Sequence, residues 1–405
     1  DYSITCPATA SLKLVKKPLV VLSFYLSYLS AADLDPLQEL SQELAAQGFN
    51  VIGLFAPSLK EPQSAGWIAR QIRYLKPAAI VNATAFSGIG ANGVSPLDAG
   101  NVPVFQMALA TSTRKSWQEA ERGLSPADLA MHVVLPEVDG RIFGGVASFK
   151  QPSKRDPDLE YSRFAHQAEP DRIRALADRI ASNIRLQTLP RAKFRPVLIL
   201  STYPGKDWQM AHAVGLDALA SSQAILEDFV SDGCDITMPD DLVAGLQSHS
   251  LSWSIEDYNK ALAKLPDSLR ETLSNVWGDP NDDPLVHDGC FIFPAMVCGN
   301  ALVALQPERG FRHARDTEYH DTSRTPQHSY VAFYLYLRTS FAADALIHIG
   351  AHGTLEWLPG KSVALSSECW PEALIGNLPV IYPFIVNDPG EAAQAKRRLG
   401  AITLG

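Results

Sequence analysis

The chain has 405 residues, enough for two or three domains with cores of their own. Hydrophobic residues make up 46% and charged residues 20%, and 44 Asp plus Glu against 35 Lys plus Arg leave a formal net charge of −9. That balance excludes a protein that coats nucleic acid through a basic face, and the lack of a long apolar run excludes an apolar helical membrane span.

Five cysteines, Cys6, Cys234, Cys290, Cys298 and Cys369, stand far apart and form no C-x-x-C pair. Such a set predicts neither a disulfide framework nor a cysteine zinc site, and it fits five free thiols in the cytoplasm. The chain opens at Asp1 without a signal peptide and stops within the strand-like Ile402-Thr403-Leu404-Gly405. The expectation is a piece of a longer protein.

In chain order, Leu19 to Tyr25 is an apolar run rich in β-formers. Asp35-Pro36 starts a helix carried by Leu37, Leu40 and Leu44 and stopped by Gly48. Phe49 to Phe55 is a second strand, Trp67 to Leu75 a second helix, and Ala78 to Asn82 and Val104 to Met107 two further strands. Residues 150–170 are polar and carry Pro152, Pro157 and Pro170, which reads as a linker or exposed loop. Asp171 to Leu186 is amphipathic, with Ile173, Leu176, Ile180 and Ile184 on one face. Val197 to Leu200 opens a second strand–helix unit, and 239–277 reads as helical with no obvious strand. Strands at Phe291 to Phe293, Leu346 to Ile349 and Val380 to Tyr382 follow, with helices at about Ser329 to Phe341 and Pro389 to Leu399. Alternating strands and helices imply right-handed crossovers and parallel sheets. The fold class is therefore multi-domain α/β, with parallel sheets flanked by helices in flavodoxin- or Rossmann-like units. The expected layout is an α/β domain over 1–150, a linker and amphipathic helix over 151–190, and a second α/β region over 191–405 with a helical insertion at about 239–277. Residues 19–107 carry no clustered titratable groups and read as architecture.

Gly88-Ile89-Gly90-Ala91-Asn92-Gly93 matches a dinucleotide-loop pattern, but Val94-Ser95-Pro96 is a poor start for the helix such a site needs. Gly360-Lys361-Ser362 resembles the end of a phosphate loop, yet Leu355 stands where the earlier glycine is required. The chain is therefore expected to hydrolyse no ATP. It also lacks H-E-x-x-H, which disfavours a metal hydrolase.

Chemistry-bearing residues concentrate in 306–361. Residues 313–328 hold His313, Asp316, Glu318, His320, Asp321 and His328, and Leu346-Ile347-His348-Ile349-Gly350-Ala351-His352-Gly353-Thr354-Leu355-Glu356 follows. The pattern puts His348 at the carboxyl end of a strand and His352 and Glu356 on the glycine-broken loop after it, where open α/β sheets bind ligands. Imidazole and carboxylate suit divalent cobalt, nickel or zinc, and they also accept protons near neutral pH. His348 alone reads first as a core histidine; the set reads as a site, with both side chains of the Glu356/His352 loop facing a solvent-reachable cavity. Asn387-Asp388-Pro389-Gly390-Glu391 reads first as a helix cap.

These motifs resemble the large subunits of ATP-dependent aerobic cobaltochelatases, in one superfamily with the porphyrin-binding H subunits of magnesium chelatases. The resemblance rests on Trp277-Gly278-Asp279-Pro280, Ala304-Leu305-Gln306-Pro307-Glu308-Arg309-Gly310, Tyr319-His320-Asp321, the run from His348 to Lys361, Cys369-Trp370-Pro371-Glu372 and the run from Pro379 to Glu391. It is specific over 277–405 and loose over 1–190. Glu356-Trp357-Leu358 and Asn387-Asp388-Pro389-Gly390-Glu391 look like the cobalt branch. Trp208-Gln209-Met210-Ala211-His212 departs from the arginine and Gly-Asn common there.

The resemblance implies a ligase that forms nitrogen–metal bonds, inserting Co2+ into hydrogenobyrinic acid a,c-diamide in cobalamin biosynthesis. It implies ATP and Mg2+ at a partner AAA+ subunit, a third subunit with an adhesion-type metal-binding domain, and an isolated fragment that is inactive. The implied catalytic residues are Glu356, His352 and His348, and the implied metal ligands are His348, His352, Glu356 and His320. Trp357 is expected against the macrocycle, with Lys361, Arg309 and Arg338 on its peripheral carboxylates. The alternatives are a magnesium chelatase H-type porphyrin subunit and a non-catalytic tetrapyrrole-binding or sensing module.

Overall fold

The computed structural model describes residues 17–404 apart from 153–154, 156, 202–211, 214, 311–321, 351–352 and 385–388, together with the backbone alone at 212–213. Runs of Val, Ile, Leu and Phe make its strands, because a parallel strand covered on both faces needs an apolar residue at nearly every position. β1 (Leu19–Tyr25), β2 (Asn50–Ala56), β3 (Ala79–Asn82), β4 (Val104–Ala110), β5 (Ile142–Pro152) and β6 (Phe164–Ala168) form one sheet in the order β2-β1-β3-β4-β5-β6. Its first five strands run parallel and β6 returns antiparallel to β5. All seven residues of β4 are buried, as befits a central strand.

The 151–190 stretch joins this first unit. β6 pairs with β5 from Ser148↔Ala168 to Pro152↔Phe164, and the helix Pro170–Thr188 buries Ile173, Leu176, Ile180 and Ile184 in the core of the same sheet. Polar, proline-bearing composition suits a linker and an edge strand equally, because one flank of such a strand faces water.

The second sheet contains β7 (Pro196–Leu200), β10 (Ser250–Ser254), β11 (Val286–His287), β12 (Cys290–Cys298), β13 (Ala301–Leu305), β14 (Ala345–Ile349), β15 (Val380–Tyr382) and β16 (Ile402–Thr403). Its order is β10-β12-β13-β7-β14-β15-β16, with β11 beside β12, while β8 (His212–Ala213) and β9 (Leu216–Asp217) pair separately. The strands β13, β7, β14, β15 and β16 are parallel, and β10 and β12 antiparallel. The 239–277 insertion is thus not purely helical. Ser250–Ser254 alternates polar Ser with Leu251 and Trp253, a strand period that reads weakly among helices and is settled only by pairing with β12.

The two units interlock. Val363 and Ala364 of the second region sit inside a core cluster with Trp117, Val146 and Phe149 of the first. The Trp117 indole donates to the Ala364 carbonyl at 2.8 Å, and the Ser362 amide to the Glu121 carbonyl at 2.9 Å. Gly123, at φ +87°, lets the Val363 carbonyl approach so closely that a Cβ there would overlap it. Gly123→Ala combines that overlap with left-handed strain and is expected to cost about 2 kcal/mol or more, read as a lower midpoint in urea unfolding.

Candidate active site around Gly353

β7 and β14 bring the site together. His348↔Ile199 register places His348 one residue from the carboxyl end of β14, buried at 3% exposure. The chain then turns through Gly353 into a short helical turn, Leu355–Trp357. That turn points Glu356 inward, and its side chain is fully buried. The Glu356 carboxyl accepts from the Gly353 amide at 2.9 Å and from the Tyr382 hydroxyl at 2.8 Å. Tyr382, the last residue of β15, lies over His348 with ring centroids 4.8 Å apart. A Cβ on Gly353 would fall 2.6 Å from the Tyr382 hydroxyl, 2.9 Å from His348 Nε2 and 3.0 Å from Glu356 Oε2. Three functional groups therefore converge on one position that only glycine leaves open.

A polar chain leads away from this point. Gln306, just past β13, lies with Oε1 3.3 Å from His348 Nε2 and donates from Nε2 to the Tyr334 hydroxyl at 2.9 Å. The Tyr330 hydroxyl shares a 2.7 Å hydrogen bond with Thr354. Burial pushes the Tyr330, Tyr334 and Tyr382 hydroxyls above their ordinary value, so all three remain neutral. Burial also raises Glu356 from an ordinary 4.5 to about 7, against the lowering effect of its hydrogen bonds, with Glu391 adding repulsion. A carboxyl poised there both accepts and releases a proton at neutral pH.

The sequence readings fare differently by residue. His348 and Glu356 come together. Glu356 is a core residue rather than an exposed loop carboxylate, because Gly353 and Tyr382 satisfy it internally. His352 and His320 lie outside the described residues, as do Asp388 and the divergent 208–211 loop. Among the described residues no three His, Cys, Asp or Glu side chains form a metal-sized cluster. Arg309 braces the site turn by donating to the Trp357 carbonyl at 2.9 Å. The Trp357 indole donates to Glu391 at 2.6 Å, and Glu391 is itself buried, so that acidic residue acts on the site as well as on its helix.

Lys361 and Arg338 do not face His348 or Glu356. The Lys361 ammonium donates to the Gln118 and Ala120 carbonyls at 2.9 Å each, tying the loop to the first unit. It borders an inter-unit cavity of about 720 Å³ whose wall also carries Glu119, Glu121, Glu169, Asp171 and Glu368. Arg338 donates to the Ala373 and Leu374 carbonyls, closing the helix Trp370–Ile375. Substrate carboxylates are the expected partners of both; in this structure each donates to backbone carbonyls. Tyr382 and Gln306 are the residues sequence reasoning missed as site members. Their signal was slight: a polar group at the end of an otherwise apolar strand.

The Gly88 loop is filled from within. The Asp139 carboxylate accepts from the Gly88 amide and the Ser87 hydroxyl, each at 2.6 Å, where a phosphate would have to compete. Among the described residues no helix is long and apolar enough to cross a membrane.

The CobN/Magnesium Chelatase family model matches residues 6–405. The aerobic cobaltochelatase subunit CobN of Pseudomonas aeruginosa is 38% identical over 96% of this chain and 32% of its own length. CobN of a Sinorhizobium species is 36% identical with the same coverage. The magnesium-chelatase H protein of Rhodobacter capsulatus is 28% identical over 93% of this chain and 34% of its own length. The solved catalytic subunit of cobaltochelatase from Mycobacterium tuberculosis superimposes with a TM-score of 0.82 at 31% identity, covering 96% of this chain and 34% of that one. The chain thus spans about a third of the length of these relatives. By the extent of the family match and the shared fold, the chain belongs to the CobN/magnesium chelatase family.

Proposed function

We propose that this chain is the part of a cobaltochelatase large subunit that carries the proton-accepting carboxyl for inserting Co2+, as substrate, into hydrogenobyrinic acid a,c-diamide during cobalamin biosynthesis. The observation that carries the reading is Glu356: fully buried, raised to about 7, and held between the Gly353 amide and the Tyr382 hydroxyl. Each ring N–H replaced by a metal–nitrogen bond releases one proton, and a buried carboxyl with a raised pKa is suited to take it. Tyr382 and Gly353 hold Glu356 in one orientation, and the Gln306-bound His348 beside it offers the next proton-carrying group. His348, His352, Glu356 and His320 are the proposed metal-handling set. Trp357, steadied by Glu391, and Arg309 are the proposed ring contacts; Lys361 and Arg338 act through the loop and helix they anchor. Higher identity to the CobN relatives than to the magnesium-chelatase relative favours cobalt.

ATP and Mg2+ belong in this reading to an AAA+ partner, with a third subunit bearing an adhesion-type metal-binding domain. The test is Co2+ insertion, followed by ring absorbance, with the full-length subunit, its partners and ATP. Insertion of Mg2+ into a porphyrin instead would establish the magnesium reading, and ring binding without insertion of either metal the sensing one. The chain alone is expected to turn over no ATP; turnover by the purified chain would remove the division of labour.

A further inference from the structure

The turn that carries Glu356, Leu355–Trp357, is three residues long, and so short a helical turn keeps one geometry only where neighbours hold it. Two of its carbonyls are held by guanidinium groups. Arg309 donates to the Trp357 carbonyl, and Arg398 donates from Nη1 to the preceding one, that of Glu356 itself. Arg398 also donates from Nε to the Lys361 carbonyl at 3.0 Å. One planar fork therefore closes the stretch from Glu356 to Lys361, and a guanidinium presents two donors at a fixed angle where an ammonium does not. At 3% exposure Arg398 makes these bonds away from water.

Arg398 is itself fixed. It belongs to the wide π-helical turn Ala395–Leu399 that continues the helix Pro389–Gln394, and turns of this kind are frequent at functional positions. Arg397 beside it pairs with Glu137 of the first unit at 2.8 Å. Gly400, at φ +63°, ends the turn against that unit, where a Cβ would lie 2.8 Å from the Phe143 carbonyl. The start of the same helix carries Glu391, which accepts from the Trp357 indole. One helix thus grips the site turn at Trp357, Glu356 and Lys361, and its last turn rests on the first unit. We infer that Arg398 is a positioning residue for metal insertion: by fixing the peptide that bears Glu356 it fixes where that carboxyl points, and it ties this placement to the first unit. The inference rests on the reading of Glu356 as the proton acceptor.

The test compares Arg398→Lys and Arg398→Met in the full-length subunit with its partners and ATP. Lysine keeps the charge and loses the fork; methionine keeps the bulk and donates to neither carbonyl. Turnover in Co2+ insertion is expected to fall about 10-fold for lysine and about 100-fold for methionine, the loss that a misplacement of about 1 Å produces, with KM for the ring unchanged. A second measurement needs no reaction. In the whole chain, amide hydrogen exchange over 353–358 should quicken about tenfold in Arg398→Lys, while the amides of β1 and β4 keep the parent's rates. Quickened exchange there, in a subunit whose parent inserts no cobalt, supports the placement of Glu356 by Arg398 and removes the reading of the site instead. Unchanged turnover in both variants, a loss carried by KM, parent-like exchange over 353–358, or exchange quickened equally throughout the chain overturns the positioning role.

Discussion

Glu356→Gln in the full-length subunit is expected to lower metal insertion about 100-fold or more while stabilising the fold above neutral pH. The amide keeps the shape and cannot take a proton. The stability half follows from linkage. The carboxyl ionises at about 7 when folded, against an ordinary 4.5, so between these values the folded chain holds a proton that the unfolded chain has released. Stability from this group is full below 4.5, falls as pH rises and is lost above about 7, a difference of roughly 3 kcal/mol by order of magnitude. Gln removes that loss, so the variant should gain melting temperature over the parent at pH 8 and little at pH 4. Insertion at the parent's rate would sink the site assignment. An unchanged stability difference between pH 4 and pH 8 would show instead that the carboxyl is not buried as described.

Glu372→Ala should be the most destabilising single change at the junction between units. The carboxylate is 12% exposed and bridges Arg172 and Arg179, themselves 7% and 10% exposed. Removing one partner of a buried ion pair leaves uncompensated charge and costs about 3–5 kcal/mol. Because the bridge joins the helix Pro170–Thr188 to the helix Trp370–Ile375, the loss is expected to uncouple the units, giving two unfolding steps where the parent gives one. Glu372→Gln should recover the hydrogen bonds and only part of the stability. A variant that unfolds in one step within about 0.5 kcal/mol of the parent, the additivity limit for independent sites, would show that the bridge contributes little.

Much of this protein is legible in its sequence, because apolar runs of four to seven residues bounded by Gly and Pro have few ways to be satisfied. β1, β3, β7, β14 and β15 fall where the residues place them, and so does His348 at the end of β14. The family is equally legible, since the run from His348 to Lys361 is long and specific. Strand partners are a different matter. β6 and β10 are short and half polar, and pairing with β5, the strand just before β6, and with β12, some forty residues after β10, is what makes them strands.

The site divides along the same line. Residue type and spacing single out His348 and Glu356, but burial is a property of what packs above a loop. Nothing local to Thr354-Leu355-Glu356 announces that β15 will lay Tyr382 across it, or that Gln306, some forty residues earlier, will turn His348. The cations show the limit most clearly. Lys361 and Arg338 sit in motifs where substrate carboxylates are the natural guess, yet a long side chain reaches whichever acceptor folding brings near, and here these are the carbonyls of Gln118, Ala120, Ala373 and Leu374. Sequence by itself determined which groups were available for chemistry; only the tertiary structure decided which of them meet one another and which meet backbone, because a buried polar group bonds to whatever donor or acceptor folding brings within reach.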